Sequence, residues 1–246
     1  MRTIYLLLAL CLVVASAPAA NAVAWFDSGG FEGYALGALD GQNGWVGGAN
    51  GTGFAPNVVT APHPTLGNQA VQLAVCDLQG DTSHMEIGIT DPLAARYTIV
   101  TVSFDIYRTG VVQNLWWYWW DNGEPTYGLQ WDMNQATLPH GWNPGAGSAP
   151  TVFNSYATLT MEWNFDTMKA YSWYNGALVD DGIPINGITA LTGWTIYLAH
   201  DADTGTGADC VYIDNFVITA VPEPGSILAL ASGLIGLGGL AIRRRR

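Results

Sequence analysis

The chain has 246 residues with 8 basic against 20 acidic side chains, a formal charge of −12, and 49% of it is hydrophobic. Residues 23 to 221 hold Arg96, Arg108 and Lys169 against 19 carboxylates, a local balance of −16, so this body would repel a phosphate backbone and nucleic acid is excluded as a partner. The 11 Trp, 11 Tyr and 7 Phe supply enough apolar surface to exclude intrinsic disorder, and the length suits one domain of sandwich size.

In chain order, residues 1 to 22 come first. Arg2 gives a short positive start, Ile4 to Ala15 an apolar run, and Ala20-Asn21-Ala22 a small-x-small cleavage site, so the segment reads as an export signal and the mature chain is expected to begin at Val23. Export places Cys76 and Cys210 in an oxidising compartment, where they are either a candidate disulfide or two buried thiols.

The body, residues 23 to 220, reads as many short strands punctuated by Gly, Pro, Asn and Asp. Strands are expected at Ala70 to Cys76, His84 to Ile89, Tyr97 to Tyr107, Val112 to Trp120, Tyr127 to Asp132, Thr158 to Asn164, Ala170 to Tyr174, Thr195 to Ala199 and Val211 to Ile218. Asn175-Gly176 supplies the positive φ angles of a two-residue hairpin turn. No fixed repeat and no helical periodicity appear within the body, so two stacked antiparallel sheets are the expected solution.

Phe31-Glu32-Gly33-Tyr34 with Gly41-Gln42-Asn43-Gly44-Trp45, then Leu159 to Asp166 with Tyr171 to Val179, and finally Val211 to Ile218, resemble the opening, the inner hairpin and the closing strand of concanavalin-A-like, laminin-G-like jelly-roll domains. The resemblance implies an all-β, two-sheet antiparallel jelly-roll sandwich. With the two end segments it gives a fold carrying a terminal hydrophobic helix at each end.

Catalytic signatures are absent. A glycosidase needs two carboxylates about 5 to 9.5 Å apart, and the laminarinase-type Glu-x-Asp-x-x-Glu strand is missing. Glu162 and Asp166 lie at i and i+4 without a central carboxylate, and Asp166 belongs naturally to a turn. His63, His84, His140 and His200 have no neighbours at metal-ligand spacing, and there is no Gly-x-Ser-x-Gly elbow or phosphate loop.

Two candidate sites remain. In Trp116-Trp117-Tyr118-Trp119-Trp120 one alternate set fills the core while the other meets solvent or the second sheet. Trp117 and Trp119, with Asp121, Asn122, Trp131, Asp132 and Trp142, are the candidate sugar-stacking group, and full burial of both sets is the alternative. The second is structural calcium. Asp201, Asp203 and Asp209 gather oxygen donors in a Gly-rich loop without the EF-hand pattern. Resemblance to sandwich carbohydrate-binding modules adds Glu32 and Asp214 as the positions where such an ion joins the first and last strands.

The last segment, 221 to 246, carries Val221-Pro222-Glu223-Pro224, then an apolar span from Ile227 to Ile242, then Arg243, Arg244, Arg245 and Arg246. The prolines hold the backbone extended for a processing enzyme. The span can cross a thinned bilayer, and the arginines hold its far end in the cytoplasm. All three parts resemble the PEP-CTERM sorting signal of exported bacterial proteins. That resemblance implies an exosortase as partner, transient membrane residence through the terminal helix, cleavage near Pro222-Glu223-Pro224 and delivery to the cell envelope, outer surface or extracellular matrix. A permanent anchor is the alternative.

The leading expectation is therefore a non-enzymatic exported protein that binds or decorates extracellular polysaccharide. A divergent glycoside hydrolase or lyase on the same fold, and a purely structural biofilm or envelope component, are the alternatives.

Overall fold

The structure is a computed structural model describing residues 22–51, 53–62, 67–75, 82–88, 97–108, 114–121, 124–126, 131–132, 140–141, 149–150, 152–185, 191–199 and 209–222; within 114–141, and at 192, 199 and 209, the description is of the backbone. Both expected terminal helices lie outside these residues. Among the described residues no helix is long and apolar enough to cross a membrane, and the helical geometry present is the short 3-10 turn Gly29–Phe31.

The strands are β1 (Val23–Asp27), β2 (Gly37–Ala38), β3 (Trp45–Asn50), β4 (Phe54–Thr60), β5 (Gln69–Val75), β6 (Thr82–Gly88), β7 (Tyr97–Arg108), β8 (Asn114–Asp121), β9 (Glu124–Thr126), β10 (Trp131–Asp132), β11 (His140–Gly141), β12 (Tyr156–Asn164), β13 (Lys169–Tyr174), β14 (Ala177–Pro184), β15 (Leu191–Ala199) and β16 (Asp209–Pro222). A nine-stranded sheet runs β14-β13-β12-β7-β16-β5-β4-β2, with β1 also on β16; a five-stranded sheet runs β3-β6-β15-β8-β9. Strands β10 and β11 form a separate two-stranded ribbon. The ladders are antiparallel, so the all-β antiparallel expectation holds.

Strict alternation in β7 shows how the sequence makes the sheet. Val100, Val102, Phe104 and Ile106 are buried, while Ile99, Thr101, Ser103 and Asp105 between them stay partly exposed. The two inner faces meet through aromatic pairs. Trp163 on β12 packs edge-on to Trp194 on β15 at 6.0 Å, and Trp45 on β3 meets Phe216 on β16 at 5.1 Å. Trp45 also donates its indole N–H to Tyr34 Oη at 3.1 Å, which satisfies a buried donor inside the aromatic cluster.

The hairpin at Asn175-Gly176 forms as expected, with φ of 49° and 81° at its two turn residues. Asp166 lies exposed in the turn after β12, and Glu162 sits on the sheet's outer side opposite Tyr171. Strands β1 to β4 were not expected. Gly47 and Gly48 in β3 and Pro56 in β4 disguise them, the proline sitting at a bulge between Phe54 and Asn57. The expected strand Tyr127 to Asp132 is described as strand only at Trp131–Asp132.

Candidate functional site

The five-stranded sheet has one face in the core and one outside, and register assigns each residue to a face. The core rows are Trp45–Ile87–Trp194–Trp119 and Gly47–Met85–Ile196–Trp117. Trp45, Ile87, Trp194, Met85 and Ile196 are buried. The alternate rows are Gly48–His84–Tyr197–Trp116 and Val46–Glu86–Thr195–Tyr118. These form the outer face, on which Val46 is 50% exposed.

On that face the His84 imidazole stacks on Tyr197, with ring centroids 6.0 Å apart and planes 22° from parallel. Glycine at position 48 makes this arrangement possible, because a Cβ there would stand 2.5 Å from His84 Cε1. Burial holds the imidazole below its ordinary range, so it is neutral at neutral pH, and its Nδ1 is enclosed without a hydrogen-bond partner. Burial likewise pushes the Glu86 carboxyl up. The result is a planar stacked pair with a neutral proton acceptor and a half-buried carboxyl one row away.

A second polar node lies on the outer side of the nine-stranded sheet. β16 pairs with β7 along its length, but on its other edge it pairs with β5 through Asp209 to Ile213 and then with β1 through Val217 to Ala220. At the changeover the ladder is irregular between Asp214 and Val217, and Asn215 takes φ 49°. Burial parity flips there: Val211 and Ile213 face the core before it, Phe216 and Ile218 after it. The turn 28–31 closes over the kink through Ser28 N–H donating to Phe216 O at 2.9 Å.

Asp214 is thereby wholly buried. Its Oδ1 accepts the Asn215 N–H at 2.7 Å, and its Oδ2 has no donor. Burial, opposed by that N–H and aided by the negative charges of Asp105 and Glu32, pushes its carboxyl up to about 6. Asp105 is its register partner on β7; Asp105 Oδ1 accepts from Thr158 at 2.5 Å and Oδ2 from Asn215 Nδ2 at 2.8 Å. Glu32 Oε1 accepts the backbone N–H groups of Asn68 and Gln69 at 2.6 and 2.9 Å. Only a glycine at 67 permits that approach, since a Cβ there would lie 2.6 Å from Oε1.

The fit to calcium can be judged from these donors. An anionic oxygen buried without a donor needs a proton or a cation, and Asp214 Oδ2 is such an atom. Among the described residues no group of three or more His, Cys, Asp or Glu side chains is gathered as metal ligands, so an ion here would complete its shell with backbone oxygens.

Of the other expected site residues, those on β8 and β10 lie on neighbouring strands. In the backbone register Trp117 and Trp119 pair with Ile196 and Trp194, and Trp116, Tyr118 and Trp120 pair with Tyr197, Thr195 and Gly193. Asp121 closes β8 opposite Leu191 and Glu124. Trp131 and Asp132 form β10 opposite Gly141 and His140. Asn122, Trp142, Asp201, Asp203, Cys76, Glu223, Pro224 and Arg243 to Arg246 lie outside the described residues. Asp209 opens β16, described by its backbone, and Cys210 stands opposite Ala74. Glu32 and Asp214 are brought to one node. Sequence reading missed His84–Tyr197 and Asp105; the signal for Asp105 was a carboxylate at an outward position of an alternating strand.

Comparison with known proteins places the fold. A sialidase structure superposes with a TM-score of 0.55 at 8% identity, covering 72% of this chain and 17% of the sialidase. Cellulose induced protein Cip1 superposes at 0.52 with 14% identity, covering 72% and 91% of the two chains. Peanut lectin superposes at 0.53 with 8% identity, covering 82% and 99%. At these identities the likeness carries the fold alone, a lectin-like jelly roll. Among curated proteins no match is found. Pro222 ends β16, so the sheet reaches into the expected sorting segment, and residues 220–246 match the PEP-CTERM protein-sorting motif, which marks the chain for exosortase-dependent secretion to the bacterial cell envelope or extracellular space.

Proposed function

We propose that the exported sandwich associates with extracellular polysaccharide through the outer face of its five-stranded sheet. The observation that carries this reading is the His84–Tyr197 stack, held over Gly48. Planar rings suit the C–H face of a sugar, and the half-buried Glu86 in the adjoining row suits its hydroxyls. An array of neutral and acidic glycans, probed with the processed protein with and without chelator, tests it. Binding that falls about tenfold or more in Tyr197→Ala is expected, and no binding under any condition overturns the reading.

One observation favours a second reading. A neutral His84 beside a tyrosine, one row from a carboxyl that burial pushes up, is a proton-transfer constellation, so cleavage of the bound polysaccharide by a lyase or hydrolase step is the alternative. Release of reducing or unsaturated ends that His84→Ala abolishes would select it; a glycan that is bound and stays intact rejects it.

Structural calcium is proposed at the Asp214 node, with Asp214 as anchor, Glu32 alongside and backbone oxygens completing the shell; it would tie the turn 28–31 to the closing strand. The terminal apolar segment is proposed to hold the precursor in the membrane until the exosortase cuts. Glu223→Ala in the producing bacterium should leave the tail uncut, and normal processing of that variant would reject recognition through this triplet.

A further inference from the structure

The nine-stranded sheet carries a cavity on its outer side, remote from the His84–Tyr197 face. It has a volume of about 370 Å³ and is lined by Phe54, Ala55, Asn57, Gln72, Ala74 and Cys210. We propose that this cavity is a second binding site, for a neutral hydroxyl-rich ring such as a neutral sugar unit; the proposal rests on the polysaccharide reading above and gives the domain a second point of attachment on its opposite sheet.

The cavity is built by the bulge in β4. In a regular strand Phe54 and Ala55 would face opposite sides, but the register slips between Phe54 and Asn57, and both residues are exposed while Pro56 is buried. Asn57 Nδ2 donates to Ala55 O at 2.8 Å and fixes the bulge. Phe54, Ala55 and Asn57 thus reach one cavity from a single short segment. Its floor is low because Ala74, the register partner of Phe54, is small. The Phe54 ring stands 51% exposed at the rim.

The lining chemistry selects the occupant. Among the described residues no charged side chain lines the cavity, so neither a carboxylate for a cation nor a positive group for an anion is present in that lining, and the body's balance of −16 further disfavours an anion. Asn57 and Gln72 each offer a carboxamide that both donates and accepts, matching hydroxyls that do the same. An exposed aromatic ring beside them matches a C–H face.

The carboxamides are also braced. Asn57, Gln72, Tyr212, Tyr107 and Tyr156 form one register row across five neighbouring strands. Gln72 Nε2 donates to Tyr212 Oη at 3.3 Å, and Tyr107 packs between Tyr212 and Tyr156 with centroids at 6.1 and 5.2 Å. This row fixes Gln72 from behind, so part of the ordering cost of binding is met before a ligand arrives.

The test is photo-affinity labelling of the processed protein with diazirine-bearing maltotriose, cellotriose and laminaritriose, followed by peptide mapping. Label on residues 54–57 or 69–75 is expected with at least one probe, reduced fivefold or more by Phe54→Ala, which removes the ring, and by Ala74→Phe, which fills the floor. Should Ala74→Phe fail to fold, Phe54→Ala decides. Label at 54–57 that survives both substitutions overturns the proposal. Label confined to 45–50, 82–88 and 191–199 overturns it while leaving the polysaccharide reading standing; no label from any probe, with an empty glycan array, overturns both.

Discussion

Val23 and Ala220 are register partners across β1 and β16. The residue expected to become the mature N-terminus therefore lies beside the first residue of the matched sorting motif, and the two expected processing junctions fall at one end of the nine-stranded sheet. On the other side of β16, Val221 and Pro222 pair with Ile99 and Tyr97, and Val221 O accepts from Thr98 Oγ1 at 3.3 Å. A protease cuts extended chain it can enclose, and strand residues held in a ladder are protected. Intact mass of the processed protein should give a chain that starts at Val23 and ends at or beyond Pro222; an end before Val221 would contradict this.

The N-terminal strand should matter more than its five residues suggest. Phe26 packs edge-on to Trp45 at 5.7 Å and to Phe216 at 6.1 Å, joining β1 to both sheets. Phe26→Ala should cost about 3 kcal/mol, at the low end for large aromatic truncations because the ring is only partly buried. Urea denaturation measures it, and a loss under about 1 kcal/mol would mean that β1 is not part of the cooperative unit.

The inner hairpin was legible in the sequence because Asn-Gly and the flanking alternation are local signals, and the closing strand because its alternation is long. The kink at Asp214–Asn215 was not, since it comes from a change of neighbour, β5 giving way to β1, that only the assembled sheet creates. Strand β3 was hidden for a related reason. Its glycines look like loop punctuation, yet Gly48 is required by the ring of His84, 36 residues later in the chain. For the aromatic block, alternation divides the residues into two sets, and the register of each against β15 comes only from the assembled sheet.

Asp214 makes stability depend on pH in a direction opposite to that of a salt-bridged carboxylate. Its pKa rises from 3.8 unfolded to about 6 folded, so the folded state binds the proton more tightly. The contribution is complete below 3.8 and is lost as pH rises through about 6. In chelator, lowering the pH from 7 to 5 should gain on the order of 1 kcal/mol from this group. Asp214→Asn should remove that increment, so the difference between the two proteins isolates it from Glu86 and Glu162, which burial shifts in the same direction. With calcium at the node the sign inverts, because the ion binds the ionised form: added calcium should raise the midpoint at pH 7 and do nothing for Asp214→Asn. No effect of calcium on either protein would reject the metal.

Gly48→Ala separates packing from binding on the five-stranded face. The added Cβ cannot coexist with His84 in its present place, since it would lie 2.5 Å from Cε1 and 2.6 Å from Nε2. The imidazole, rather than the backbone, should give way, because β3 is paired with β6 from Trp45 to Asn50 and the ring is only partly enclosed. Moving it off Tyr197 breaks the stack while leaving both side chains present. Stability should fall by about 1 kcal/mol or less, the loss of one aromatic contact partly offset by replacing a glycine in a strand. Glycan affinity should fall about tenfold if the stacked pair forms the binding surface, and turnover should fall further than affinity if His84 also moves a proton. Unchanged affinity in a folded Gly48→Ala protein would remove the His84–Tyr197 stack from the binding surface.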